Sequence, residues 1–273
     1  MAVFSWRVSI LQRPHLGEVP PDLRGRVERQ LTSGSAICNN AAGSEVMAHC
    51  RLRSKLLAGC ERSRLMPMEL RRCLLTPPSD VWTAAENLLH AVRLHNERDR
   101  SGAAAFFRAA NLACIGDWFR MVVGPFDEHI HGPRPTLLDP PKLPVHQRKR
   151  PRMVSAARKQ AIIARDGYHC RFCEMPVIPK DTLKAIAFLY PEDAPWTDVA
   201  ADQHRFFQAA NLQYDHLLPH SRGGESSVEN MVVTCAVCNY GRMSNTLVES
   251  FLLDPRDFAS RTSSWDGLQS LAF

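Results

Sequence analysis

The sequence lacks any apolar run near the length of a membrane span, which takes about 20 consecutive residues. It also lacks a signal-peptide layout, because Arg7 interrupts the short apolar stretch of the N-terminal segment MAVFSWRVSILQRP. These two absences argue against a membrane protein and an exported protein, so we expect a cytoplasmic location. Apolar residues make up 45% of the chain and charged residues 23%, which is ordinary for a soluble globular protein.

The net charge and the number of cysteines do not by themselves assign the protein to a functional class. The net charge of +6 favours acidic partners, but many basic proteins bind no nucleic acid. Nine cysteines are an odd number, and without an export signal they argue against a disulfide framework. Metal ligation together with free thiols is therefore the better explanation of the cysteines.

The composition divides the chain into five segments. Caps and helical spacing of apolar residues predict a helix from Ser79 and two short helices at 102–112 and 117–123. We expect the first segment, 1–78, to be Arg-rich, poorly defined and partly disordered. It is followed by a helical domain or arm (79–130), a Pro-rich basic linker (131–152), a module that contains the candidate functional residues (153–250) and a C-terminal tail (251–273).

The linker contains six prolines and ends in a basic run. Proline at this density disfavours both helices and strands, so the segment is expected to be extended. Arg148, Lys149 and Arg150 belong to the basic run, which is either simply solvated or in contact with nucleic-acid phosphates.

Four of the cysteines form two tight pairs, Cys170/Cys173 and Cys235/Cys238. A Cys-x-x-Cys turn places two thiolates on one edge of a tetrahedron, and two such turns are a strong signal for structural zinc. No strand–helix–strand pattern surrounds them, which disfavours a redox role. A closed four-thiolate site folds a module without catalysing a reaction, so catalytic groups must lie between the pairs.

An adjacent Asp-His pair, Asp215-His216, lies between the two cysteine pairs and is followed by Gly223-Gly224. Phosphodiester hydrolysis requires a base that activates water and a cation that stabilises the departing oxygen. Successive side chains on a strand point to opposite faces, so these two neighbours can serve different roles. The glycine pair permits a tight loop after the strand.

Together with Asn230 and the sequence Cys235-x-x-Cys238-Asn239, these elements resemble the zinc-containing HNH endonuclease family over residues of about 155 to 250. The resemblance implies a ββα-metal fold, a hairpin followed by a helix that holds one divalent cation. It implies that His216 is the general base, that Asp215 and Asn239 hold Mg²⁺ or Mn²⁺, and that Asn230 braces the loop and orients His216. Cys170, Cys173, Cys235 and Cys238 would bind structural Zn²⁺, and Arg222 and His220 are candidates for contact with phosphate.

Two features depart from the family pattern. Asn239 stands where many members carry histidine, which predicts looser metal binding. The insertion at 174–212 is longer than usual, with predicted helices at 181–189 and 198–210, and it either covers the site, reads the substrate or has no role.

The fold expected is therefore α+β, with a helical N-terminal part, a linker and the ββα-metal module. The function expected is endonuclease activity, with double-stranded DNA as the first substrate. A lone module should nick one strand, so a double-strand cut requires a homodimer or a second encounter, and a targeting partner protein is compatible with the sequence. The alternatives are a zinc-dependent nucleic-acid-binding module without catalysis and a protein-interaction zinc knuckle, which leaves the Asp-His pair unexplained.

Overall fold

The computed structural model describes residues 69–272, which belong to the compact unit Leu65–Phe273. Most of the predicted Arg-rich segment 1–78 therefore lies outside the described residues. Within the described range the chain forms eight α-helices and one two-stranded sheet, so the α+β prediction is confirmed. No helix in this range is long and apolar enough to span a membrane.

The N-terminal helices form where the apolar spacing predicts them. Helix α1 (Asp80–Asn96) buries one face of alanine, valine and leucine side chains, and α2 (Arg100–Ala109) packs against it. The carboxylate of Asp99 caps α2 by accepting a hydrogen bond of 2.9 Å from the Gly102 N–H. Helix α3 (Ala113–Val123) and the short α4 (Glu128–His131) complete this part of the fold.

The C-terminal half begins with α5 (Ala156–Asp166), and the Ser155 side chain caps it by accepting a hydrogen bond from the Arg158 N–H. The insertion forms α6 (Lys180–Leu189) and α7 (Arg205–Ala210). The second helix is shorter than expected, because residues 198–204 form only a turn of 3-10 helix and an extended approach to α7.

A hairpin and a helix form the ββα unit. Strands β1 (Gln213–His216) and β2 (Met231–Thr234) pair antiparallel, with Asp215 opposite Val232. The sheet leads directly into α8 (Ala236–Arg242), whose N-cap is Cys235. Every residue of β2 is buried, which matches its apolar composition.

The helical part packs directly on the ββα unit, since α3 contacts both α7 and α8. A Cβ atom at Gly241 would lie 2.4 Å from the Val122 side chain, so α8 can approach α3 this closely only with glycine there. His204 adds a polar link by donating a hydrogen bond of 2.9 Å from Nε2 to the Phe107 carbonyl. The predicted division into separate segments at 130 and 152 remains a prediction.

The predicted linker does lack long helices, but part of it lies along the loop between the strands. We call residues 139–152 the strap. The Leu143 N–H donates to the Ser221 carbonyl at 2.7 Å, and the Ser226 hydroxyl donates to the Arg152 carbonyl at 2.8 Å. Hydrogen bonds at both ends therefore hold the strap against the ββα unit.

Candidate zinc site and active site

The four paired cysteines meet at one buried point. Their Sγ atoms all lie within 4.8 Å of one another, and the Cys173 and Cys235 sulfurs are 3.7 Å apart. A tetrahedral ion with sulfur ligands at 2.3 Å separates neighbouring sulfurs by about 3.8 Å. The quartet therefore has the dimensions of a four-thiolate zinc site.

The hairpin and the two turns explain why these sulfurs converge. The Arg171 N–H donates to the Val233 carbonyl at 2.9 Å and joins the first turn to β2, which leads into the second turn. Burial raises the pKa of the Cys173 and Cys235 thiols above the ordinary value. Thiolates at this depth need a cation to offset their charge, and a bound Zn²⁺ would supply it.

His216 ends β1 and is only partly exposed. Its Nε2 lies 2.9 Å from the Ser226 hydroxyl oxygen, whose own hydrogen is donated to the Arg152 carbonyl. Because a carbonyl can only accept, the hydroxyl must accept from Nε2–H of His216. This places the imidazole lone pair on Nδ1, the atom that can take a proton.

The surroundings of His216 keep its ring neutral. Burial is the main cause that lowers its pKa to about 4, and the positive charges of His220, Arg152 and Arg242 lower it further. A neutral ring at neutral pH has the free lone pair that a general base requires.

Asp215 points to the opposite side of β1 and is buried against Arg242. The Arg242 Nη2 lies 2.6 Å from Oδ1 and its Nε 3.0 Å from Oδ2, while its other N–H groups bond to the carbonyls of His216, Leu217 and Asn245. Burial raises the pKa of Asp215, and the Arg242 charge partly offsets that effect. The carboxylate is therefore half of a buried ion pair.

The loop after β1 is shaped by Asn230 and glycine. The Asn230 side chain accepts from the Leu218 N–H at 2.9 Å and donates to the carbonyls of Leu218 and Glu225. Gly223 has a positive φ of 93°, and a Cβ at Gly224 would lie 1.8 Å from the Leu218 carbonyl oxygen. This loop brings Ser226 back to the His216 ring.

One unit therefore contains, in chain order, the strand with the Asp-His pair, the braced loop, the second strand and the helix that carries Cys-x-x-Cys-Asn. Residues 203–242 match the HNH endonuclease family model. The resemblance inferred from the sequence is confirmed for this segment, which runs from α7 to α8 and includes Asp215, His216, Asn230 and Asn239. No curated protein and no solved structure matches the chain.

The HNH segment, residues 203–242, also contains the donors predicted for a catalytic cation. Asn239 is half-buried on α8, directly after Cys238. A carboxylate and an amide oxygen are ligands that Mg²⁺ and Mn²⁺ accept, with water completing the shell. Each Asp215 oxygen accepts one Arg242 N–H and keeps a second lone pair. The chemistry of these two donors is therefore compatible with a divalent cation, and Arg242, which already neutralises the Asp215 carboxylate, would weaken its binding.

The predicted nucleic-acid contacts around the HNH segment fall into two groups. Arg222 is 2% exposed, donates from Nη2 to Glu249 at 2.7 Å and bonds to the Pro140 carbonyl, so its guanidinium is not available to a phosphate. We therefore leave Arg222 out of the proposed contacts. His220, Arg148 and Arg150 line one cavity, whereas Lys149 forms an exposed ion pair with Glu225.

Sequence reasoning missed three residues of this site: Ser226, Arg242 and Arg152. The prediction that Asn230 orients His216 differs from the geometry, because the His216 ring donates its hydrogen bond to the Ser226 hydroxyl. Arg242 follows Asn239 by three residues, one turn of α8, and this spacing is the signal that could have placed it near the site. No sequence signal distinguishes Ser226 from its neighbour Ser227.

Proposed function

We propose that this protein is a metal-dependent endonuclease that hydrolyses phosphodiester bonds of nucleic acid, with double-stranded DNA as the substrate. The HNH match indicates a nuclease-related function for residues 203–242, since that family is usually endonucleolytic. The observation that carries the proposal is the neutral His216 at the end of β1, which Ser226 holds in one tautomer within the segment that matches the HNH model.

In this mechanism Nδ1 of His216 takes a proton from the water that attacks phosphorus. Ser226 holds the ring in the required tautomer, and Asn230 keeps the loop that carries Ser226 in place. Asp215 and Asn239 would hold the divalent cation, which when bound supplies charge stabilisation at the departing oxygen. Cys170, Cys173, Cys235 and Cys238 bind zinc as a structural ion.

A second candidate function, zinc-dependent nucleic-acid binding without catalysis, is favoured by one observation. Arg242 pairs with both oxygens of Asp215 and competes with a cation for that carboxylate. A binding module needs no cation at this position. Under this alternative the protein would bind DNA equally with and without Mg²⁺ and cleave none.

The test is nicking of supercoiled plasmid with Mg²⁺, with Mn²⁺ and with neither ion added, by wild type and His216→Ala. His129→Ala, an exposed histidine outside the HNH segment, serves as the matched control. Folding and zinc content are measured first for all three proteins, so that a collapsed zinc site does not imitate a catalytic defect. Single-stranded DNA and double-stranded RNA are assayed in parallel to define the substrate.

Cation-dependent nicking by wild type and His129→Ala, with loss of at least about 100-fold in His216→Ala, is expected for a general base. Equal cutting by all three proteins would remove His216 from the mechanism. Binding without any cutting would favour the second candidate. If the wild type cuts both strands together, we expect the cutting rate to depend on protein concentration, as a homodimer requires.

A further inference from the structure

A basic cavity of about 340 Å³ opens beside the HNH segment. The residues that line it come from the strap and from the loop after β1, and they include no acidic side chain; they are Val145, Arg148, Arg150, Pro151, Arg152 and His220. We call this cavity the basic pocket. It is distinct from the cation donors Asp215 and Asn239, which do not line it.

The strap separates its cations by the geometry of its backbone. Arg148 has extended φ and ψ of −74° and 143°, and neighbouring side chains of extended chain point to opposite sides. Arg148 and Arg150 line the pocket, whereas Lys149 between them pairs with Glu225, and neither of these two residues belongs to the lining. One cation of the run is neutralised within the protein, and two of its arginines converge with Arg152 on the same space.

The pocket is held in position rather than formed by a free chain. His220 Nε2 bonds to the Lys149 carbonyl, and Arg148 Nε donates to the Leu143 carbonyl at 2.9 Å, which leaves its terminal nitrogens directed elsewhere. The Arg152 carbonyl accepts from Ser226. These contacts hold the backbone of the strap and the guanidinium of Arg148, so less conformational freedom is lost there when an anion binds.

The chemistry of the lining selects a phosphate. Three arginines line this cavity, so their positive charges repel one another, and the lining contains no carboxylate to offset that repulsion. Guanidinium matches the paired oxygens of a phosphate with two parallel hydrogen bonds. An anion with several acceptor oxygens therefore relieves the repulsion and satisfies the donors.

The pocket lies next to the proposed base. The rings of His220, which lines the pocket, and His216 are 5.7 Å apart. Phosphates follow one another along a DNA strand with a rise of about 3.4 Å per nucleotide. A phosphate in the pocket is thus within one or two nucleotides of a phosphate at His216.

We infer that the basic pocket binds a backbone phosphate of the nucleic acid next to the one that is cut, with Arg148, Arg150, Arg152 and His220 as its ligands. This inference rests on the proposed function for the identity of the nucleic acid and extends it with a separate subsite. The subsite contacts backbone and no base, so it positions the strand without reading its sequence.

The test measures binding apart from cleavage. A fluorescent duplex oligonucleotide is titrated with the full chain over a series of salt concentrations without Mg²⁺ or Mn²⁺, using wild type, Arg150→Gln, Arg152→Gln and Lys149→Gln. Lys149→Gln is the matched control, because it removes one positive charge from the same run but outside the pocket. Plasmid nicking by the same proteins is measured with Mg²⁺.

We expect Arg150→Gln and Arg152→Gln each to weaken binding and to make the slope of log affinity against log salt shallower by about 1, while Lys149→Gln changes the slope by less. Equal slopes for all four proteins would contradict the assignment of the pocket as a phosphate site. An equal change of slope in all three variants would contradict it as well. A wild type that neither binds nor nicks would refute the proposed function instead. Wild-type nicking with unchanged Arg150→Gln and Arg152→Gln binding would refute only the pocket.

Discussion

At the scale of single residues, the candidate site depends on hydrogen bonds that fix direction. His216 can act as a base only if its lone pair is on the ring nitrogen that faces the substrate. Ser226 decides this, because its single hydrogen goes to the Arg152 carbonyl and its oxygen accepts from His216. The strap therefore influences the base through one serine.

Ser226→Ala removes that hydrogen bond and leaves His216 free to adopt the other tautomer. Loss of one hydrogen bond of about 1 kcal/mol predicts a decrease in kcat of about 5- to 10-fold with little change in KM. Nitrogen NMR of the His216 ring should show a mixture of tautomers in the variant and one tautomer in the wild type. Ser226→Thr should restore both, and Ser227→Ala serves as the control. A lower kcat with an unchanged ring spectrum would mean that Ser226 acts in another way.

At the scale of elements, the loop between β1 and β2 has no room for a side chain at Gly224. A Cβ there would lie 1.8 Å from the Leu218 carbonyl oxygen and 2.9 Å from the Asn230 amide nitrogen. The Asn230 hydrogen bonds and this close approach stabilise the same turn. The stability of the loop and the position of Ser226 are therefore linked.

Gly224→Ala should lower the free energy of unfolding by about 2–3 kcal/mol, because the loop must open to admit the methyl group. Gly167→Ala is the comparison, since its Cβ would meet no atom closer than 3.9 Å and its cost of about 1–2 kcal/mol comes only from a positive φ of 68°. Urea denaturation measures both variants. A Gly224→Ala variant as stable as the wild type would show that the loop is not packed in this way.

A buried histidine at the N-terminus of α7 makes the stability of the protein depend on pH. His204 donates from Nε2 to the Phe107 carbonyl and accepts at Nδ1 from the Phe207 N–H, so its environment requires the neutral ring. Burial lowers the pKa of His204 from 6.5 to about 4. Between these two pH values the unfolded chain binds a proton that the folded chain does not.

The free energy of unfolding should therefore fall as the pH drops from about 6.5 towards 4, with the contribution of His204 fully present above that range. Between pH 7.5 and 5.5 the loss from this residue is about 1 kcal/mol. Urea denaturation at both pH values should show a loss in the wild type that exceeds the loss in His204→Asn by this amount, since His216 and His169, whose pKa values are also lowered to about 4, contribute equally to both proteins. Zinc content is measured at each pH, because thiolates also take up protons. Equal pH dependence in the two proteins would exclude His204 as the source.

At the scale of the whole molecule, the cysteine quartet joins two distant parts of the chain. Cys170 and Cys173 precede the insertion, whereas Cys235 and Cys238 begin α8, which packs on the N-terminal helix α3. Zinc would therefore hold the ββα unit, the insertion and the helical part in one structure. The stability of all three would then depend on the same ion.

Removal of zinc by a chelator should unfold the protein beyond the ββα unit, with loss of helical circular dichroism and of DNA binding together. The expected cause is the loss of a metal–thiolate energy of about 10 kcal/mol or more. Cys238→Ser should resemble the chelated protein, whereas Cys114→Ser, outside the quartet, should resemble the wild type. One bound zinc per chain is expected by elemental analysis. An untreated protein without zinc but with full helical content would contradict the assignment.

The sequence alone was sufficient to predict the HNH resemblance and the cysteine quartet. Spacing of two residues within each cysteine pair, an Asp-His pair and a glycine pair are local patterns, and each has a direct chemical reason. The helices α1, α5 and α6 were also predictable, because caps and apolar spacing are local signals. The shorter α7 was not, since the chain before it forms contacts with other elements instead of helix.

Which polar residues contact one another depends on the tertiary structure. Arg222, an ordinary loop arginine in sequence, is buried against Glu249, and Arg242 is paired with Asp215, because both guanidinium groups lie where distant segments converge. The sequence of the basic run likewise does not show which of its side chains are paired. Its arginines line the basic pocket and its lysine is paired because the strap is attached along the loop between the strands. Local patterns set the types of ligand and base, whereas partners, burial and tautomer depend on contacts between residues far apart in the chain.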